Sequence, residues 1–308
     1  MARIGILLLN SCPLPLSRSP SPMPLLILVS LVWAFSPGLI KGRLAGLDPE
    51  AVAVVRLALA AVVFLPFLRR PRRGWRQVAI LAGIGAVQFG LMYVLYLRAF
   101  TYLRAYEVAL FTIFTPFYVA LCHGLLERCL VWRHLLAAAI AVVGAGVIVW
   151  SGGISAGAWT GFLLMQGSNF CFALGQLAYK RVRPSLTGVS DWQCFAWLYV
   201  GAVVVTALLS VGTSDWTAFQ PDRTQWLTLF YLGVIASGLS FFAWNVGALQ
   251  VNAGTLAVFN NLKIPLMVLC SLLFFGESAD PARLLLSLLL MALSLWVAER
   301  APKQASPR

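Results

Sequence analysis

Ten long apolar runs constrain this chain more than any other feature. They fall at about 24–40, 51–68, 78–98, 105–126, 133–150, 158–179, 192–211, 225–249, 253–275 and 281–298. A helix crossing a bilayer needs about 20 predominantly apolar residues. Hydrocarbon satisfies no backbone N–H or C=O, so such runs have to be helical. Between them stand residues that stop helices: Asp48-Pro49, the cluster from Arg69 to Arg76, Ser151-Gly152-Gly153, Arg183-Pro184 and Asp280-Pro281. Only 11% of the 308 residues are charged and 60% are hydrophobic. Soluble domains carry about 25% charged residues, so a water-exposed surface cannot be built from this composition. Disordered chains are poor in apolar residues and are excluded as well. The expected fold class is all-α, a polytopic membrane protein with ten transmembrane helices.

Residues 1–22 do not extend this pattern. Ile4 to Leu9 is apolar but too short to span, and Pro13, Pro15, Pro20, Pro22 and Pro24 follow. This segment is read as a disordered tail, or as a mis-called start with initiation at Met23. Residues 301–308 are read as a cytoplasmic tail.

The formal net charge of +13 would suggest nucleic acid in a soluble protein. In a membrane chain, Lys and Arg mark cytoplasmic loops. With the N-terminus inside, fifteen of them lie in cytoplasmic segments, five in the Arg69–Arg76 cluster alone. Six face outside: Lys41, Arg43, Arg98, Arg104, Arg223 and Arg283. Both termini are therefore expected in the cytoplasm, with no nucleic acid as partner.

The two halves of the chain resemble each other. Gly90-Leu91-Met92-Tyr93 matches Gly238-Leu239-Ser240-Phe241, and Ala105 to Phe111 matches Ala253 to Phe259, both at an offset of 148. Pro116 meets Pro265 and Glu127 meets Glu277 at 149 and 150. The expected organisation is one five-helix repeat at 23–152 and a second at 153–300. An odd number of spans inverts the second copy, the arrangement of many secondary transporters.

At these positions the chain resembles the drug/metabolite transporter superfamily with two EamA-type halves, over about Leu25 to Trp296. The carrying residues are Trp33, Arg56, Pro116 with Glu127, and Pro265 with Glu277. Phe111 to Tyr118, Asn169 to Arg181 and Ala253 to Asn261 resemble the bacterial biotin-uptake branch of that superfamily. Lys263 stands where that branch leads one to expect an imidazole. The resemblance implies inward transport of biotin or a related carboxylate through a bacterial cytoplasmic membrane. Export of amino acids or amphipathic metabolites is the alternative within transport. A non-transport integral membrane protein is the remote one.

Polar groups inside a bilayer are costly and raise functional hypotheses. Lys263 in span 9 is the candidate partner of a substrate carboxylate, with Asn260, Asn261 and Asn245 hydrogen-bonding the rest. The competing reading is a structural lysine paired with Glu107 or a backbone carbonyl, or one snorkelling to a membrane surface. The 148 offset lays Thr112 and Thr115 of span 4 onto Asn260 and Lys263. Gln166, Asn169, Gln176 and Tyr179 form a polar stripe on span 6, which serves either as a cavity wall or as interhelical hydrogen bonding. Tyr93, Tyr96, Trp244 and Trp33 are aromatic candidates for the substrate, or ordinary packing. Arg56 either attracts anions or pairs with Asp48 or Glu50. Glu107 either carries a proton or caps its helix beside Arg104 or Arg98. Ala137, Ala141 and Ala145 form a small-residue seam on span 5. His123 and His134 with the scattered cysteines make no metal-ligand pattern. The chain shows no phosphate-binding loop and no catalytic constellation, so no cofactor and no enzyme activity are expected. The expected partners are an anionic or zwitterionic small molecule and the bilayer.

The orientation is testable. Alkaline phosphatase inserted after Ser214 is expected to be active outside the cytoplasmic membrane, and the same reporter after Arg308 inactive.

Overall fold

The computed structural model describes residues 23–69, 74–103, 105–127, 131–149, 158–274 and 281–300. The tail 1–22, Glu277 and the middle of the Arg69–Arg76 cluster lie outside them. Every regular element among the described residues is helical. In order these are α1 (Met23–Ala34), α2 (Ser36–Arg43), α3 (Pro49–Phe64), α4 (Trp75–Gly85), a π-helical stretch Ala86–Leu91, and α5 (Met92–Tyr102). Next come α6 (Ala105–Thr112), α7 (Thr115–Glu127), α8 (Trp132–Val149), α9 (Ala158–Val182) and α10 (Asp191–Val211). The last are α11 (Arg223–Phe230), a second π-helical stretch Tyr231–Leu239, α12 (Ser240–Ala248), α13 (Ala253–Phe274) and α14 (Pro281–Glu299). Six stretches among the described residues are long and apolar enough to cross a membrane: Met23–Arg43, Pro49–Phe67, Trp75–Tyr102, Asp191–Val211, Arg223–Ala248 and Ala282–Glu299.

The helix starts follow capping chemistry. Asp48 accepts the Ala51 N–H at 2.8 Å, and Pro49 takes the first turn, where its missing N–H costs nothing. Ser190 with Gln193 and Asp222 with Gln225 form capping boxes. In the loop before α11, Asp215 accepts from the Thr217 hydroxyl at 2.6 Å and from the Thr217 and Ala218 N–H groups. These bonds hold its carboxyl below the usual carboxylate range, so their contribution is lost as pH falls through that lowered value.

Two expected spans are interrupted. The first breaks at Phe35, ahead of Pro37. The fourth breaks at residues 113 and 114, leaving Pro116 in the opening turn of α7. Pro265, the proline expected to correspond to it, sits inside the unbroken α13. There it withdraws the N–H that would pair with the Asn261 carbonyl.

The chain divides into two compact units, each drawn from both halves of the sequence. One holds residues 1–34, 109–153 and 247–308; the other holds 35–108 and 154–246. In the first unit α13 is the hub, packing on α1, α7, α8 and α14. The Ala137, Ala141 and Ala145 seam is fully buried, as its spacing suggests. A Cβ on neighbouring Gly144 would lie 2.9 Å from the Leu290 Cβ, and Ser294 Oγ donates to the Ala137 carbonyl at 2.6 Å. In the second unit α10 packs on α3, on α4 and on the first π-helical stretch. A Cβ on Gly85 would sit 1.8 Å from the Leu198 carbonyl oxygen, and one on Gly201 would sit 1.9 Å from that of Ala82. Only glycine allows this reciprocal crossing. Gly161, Ser168 and Gly175 recur every seven residues along α9, so Leu103 and Gln88 press against its backbone while Ser168 Oγ donates to the Met92 carbonyl.

Large apolar side chains point outward, among them Leu125, Leu208 and Val211. Trp75, Trp132 and Trp159 are exposed at helix starts, where aromatic rings suit a membrane interface. Gly201→Leu is expected to destabilise the protein by about 1–3 kcal/mol or more. The unfolding midpoint in detergent checks this, with Gly212→Leu, which meets open space, unchanged.

Candidate functional site

The first unit gathers six of the residues singled out from sequence. Asn260, Asn261 and Lys263 lie on α13, beside the turn where Pro265 opens the backbone. The Lys263 ammonium stands 5.8 Å from the centroid of the Trp33 ring on α1, a cation–π contact. Among the described residues no carboxylate lies within ion-pairing distance of it. Asn261 is fully buried, and its Nδ2 donates to the Ile113 carbonyl at 2.8 Å and to that of Ala141 at 3.4 Å. It thereby satisfies a carbonyl that the break in the fourth span leaves without a helical partner. Asn260 Nδ2 returns to the Leu256 carbonyl at 2.7 Å. Both Asn Oδ1 atoms are buried acceptors with no partner among the described residues. Thr115 donates to the Thr112 carbonyl at 2.7 Å, so these two hydroxyl residues line the break itself.

The second unit holds the others, six of them in two connected clusters. In one, the Arg56 guanidinium on α3 is 1% exposed. Its Nη2 donates to Tyr93 Oη at 3.0 Å and to Ser237 Oγ at 3.2 Å, and it lies 4.5 Å from the Tyr93 ring centroid. Tyr199 Oη donates to the Ser237 carbonyl. The Arg56 Nε and Nη1 groups find no hydrogen-bond partner among the described residues. The sequence expectation that Arg56 pairs with Asp48 or Glu50 is therefore corrected. Asp48 caps α3, and Glu50 pairs with Arg98 at 2.6 Å. Arg98 is thereby Glu50's partner, Glu107 is fully buried in the first turn of α6, and Arg104 lies outside the described residues. Tyr96 stands edge-on to Tyr93, with centroids 6.3 Å apart.

In the other cluster, Trp244 Nε1 donates to Gln176 Oε1 at 2.9 Å and Gln88 Nε2 donates to Asn245 Oδ1 at 3.0 Å. Aromatic rings connect the clusters: Tyr93 to Phe241 at 5.9 Å, Phe241 to Phe172 at 5.7 Å, and Phe172 to Trp244 at 6.2 Å. Asn169 donates to Gln166 at 3.4 Å along α9. Tyr179, near the end of that helix, belongs to a different group. Its hydroxyl donates to Asp191 at 3.0 Å, and Arg183 holds the same carboxylate at 2.5 Å. That network fastens the turn between α9 and α10. Gln88, Ser237 and Tyr199 were missed from sequence. A lone glutamine in an apolar span carried the signal for Gln88, whereas serine and tyrosine are too common in spans to stand out.

The chain matches the EamA-like transporter family over residues 21–150 and again over 159–298. It belongs to that family. It is accordingly a multi-pass membrane protein of a bacterial transporter family. A protein of Escherichia coli (strain K12) named "Biotin transporter" is 38% identical over 274 residues, covering 88% of this chain and 91% of that one. A Pseudomonas aeruginosa protein named "Probable biotin transporter" is 40% identical over 274 residues, covering 88% and 96%. A solved crystal structure shares the fold with a TM-score of 0.71 at 18% identity, over 90% of this chain and 96% of that one.

Buried cations rely on every donor contact they make. Tyr93→Phe removes one of the two hydroxyl partners of Arg56. It is expected to cost about 1–3 kcal/mol in unfolding free energy, with the exposed Tyr102→Phe unchanged.

Proposed function

We propose that this protein is a secondary transporter that carries biotin, or a closely related carboxylate, into the bacterial cell by alternating access. The carrying observation is the near full-length identity of 38–40% to relatives named as biotin transporters. On this reading ten spans form two inverted repeats, at 23–152 and 153–300, with both termini in the cytoplasm. The protein moves its substrate without chemically altering it. The 148-residue internal offset and the excess of Lys and Arg in cytoplasmic segments support that organisation. Export of amino acids or amphipathic metabolites has less support.

Lys263 is the proposed partner of the substrate carboxylate. It is a cation on the hub helix of its unit, contacts an aromatic ring, and pairs with no carboxylate among the described residues. An ammonium retained there invites an anion, because leaving it uncompensated in a bilayer is costly. The buried acceptors of Asn260 and Asn261 beside it suit N–H groups of a ligand. Glu107 and Arg56 remain candidates for coupling or gating.

The test is uptake of labelled biotin by a biotin-auxotrophic bacterium lacking its own transporter. Saturable uptake is expected from the wild type. Losing a charge-assisted hydrogen bond costs about 1.5–3 kcal/mol, so Lys263→Ala is expected to raise KM about 10-fold or more at equal membrane expression. No uptake by correctly inserted wild type would remove biotin import. Unchanged KM in Lys263→Ala would remove the lysine from the site.

A further inference from the structure

In the second unit, Gln88, Gln176, Trp244 and Asn245 are all fully buried. They make two side-chain hydrogen bonds, Gln88 to Asn245 and Trp244 to Gln176. Three polar atoms of this group stay without a partner among the described residues: Gln88 Oε1, Asn245 Nδ2 and Gln176 Nε2. One is an acceptor and two are donors. Exchanging oxygen and nitrogen in both members of the Gln88–Asn245 pair still leaves that pair one free donor and one free acceptor. Unpaired amide atoms in an apolar interior cost about 1–3 kcal/mol each, and a polar network satisfied only in part is the most costly kind. Ordinary interhelical bonding does not explain three glutamine and asparagine side chains with half of their amide groups unused.

We infer that Gln88, Asn245 and Gln176 form a receptor for a cyclic urea, the ureido ring of the substrate. This rests on the biotin reading above but not on which residue takes the carboxylate. A cyclic urea carries one carbonyl oxygen with two lone pairs and two N–H donors. The carbonyl takes Asn245 Nδ2–H and Gln176 Nε2–H, and one ring N–H goes to Gln88 Oε1. Each free atom of the group then has a partner of the right polarity. A carboxylate only accepts, so it leaves Gln88 Oε1 unpaired and is disfavoured. The neighbouring Phe172 and Phe241 rings, and the Trp244 indole whose Nε1–H is already used on Gln176, supply apolar contact for the rest of the bicycle. The backbone is built for this. Gln88 sits in the π-helical stretch Ala86–Leu91, and such turns are frequent at functional sites. A Cβ at Gly175 would come within 2.2 Å of the Gln88 Cβ, so the glycine next to Gln176 brings the two amides' backbones together.

The purified full-length protein in detergent, binding tritiated biotin, provides the test. The competitors are desthiobiotin, which keeps the urea, and lipoate, which has a carboxylate and no urea. The wild type is expected to prefer desthiobiotin strongly. Gln88→Met and Gln176→Met keep side-chain length, and Asn245→Asp keeps the acceptor for Gln88 while deleting the free donor. Each is expected to weaken biotin binding about 10-fold or more and to narrow the preference for desthiobiotin over lipoate. If any of these variants elutes as the folded wild type yet keeps both affinity and preference, the receptor is overturned while the biotin reading stands. A wild type that binds no biotin overturns both.

Discussion

Hydrocarbon offers no hydrogen-bond partner, and the rest of this structure answers to that fact. Every interruption of a helix has to be repaired by another part of the protein. The break at residues 113 and 114 frees backbone carbonyls, and Asn261 reaches across from α13 to one of them. The buried guanidinium of Arg56 is held by Tyr93 and Ser237, two hydroxyls presented by the π-helical region and the helix that follows one. The same accounting exposes the exceptions. The Oδ1 atoms of Asn260 and Asn261 and the Gln88–Asn245–Gln176 group keep polar atoms without a partner among the described residues, where such atoms are costly, and on the proposed reading a substrate completes them.

Close backbone approach is the second consequence. Helices in a bilayer gain little from hiding apolar surface from one another, so they associate by fitting small residues together. The Gly85–Gly201 crossing brings α4 and α10 nearer than any Cβ permits. The Gly161, Ser168 and Gly175 row does the same for α9. These contacts set the rotation of each helix, and rotation decides which polar groups meet. Gly175 leaves room for Gln88, whose amide donates to Asn245.

Much of the candidate site was legible as a set of residue types and little of it as a set of pairs. Lys263, Asn260 and Asn261 stand out because charge and amides are rare in an apolar run, and the structure puts all three on one hub helix. Gln176 and Trp244 were singled out separately and turn out to be bonded. Arg56 was singled out correctly but matched with the wrong partners, because nearness in sequence to Asp48 and Glu50 suggested an ion pair. On the helix, Glu50 faces Arg98 and Asp48 is spent on the cap. Tyr179 looked like a continuation of the α9 polar stripe, yet its hydroxyl serves Asp191 and Arg183.

The sequence by itself determined the membrane class, the placement of the apolar helices and where several of them start. Those properties follow from local quantities: apolar length, the missing N–H of proline, and the caps at Asp48, Ser190 and Asp222. Only the tertiary structure decided which side chains bond, which breaks are repaired and which polar atoms are left over. Periodicity assigns a residue to a face of its own helix. The axial register and rotation of the neighbouring helix, set by glycine contacts distant in sequence, decide what that face meets.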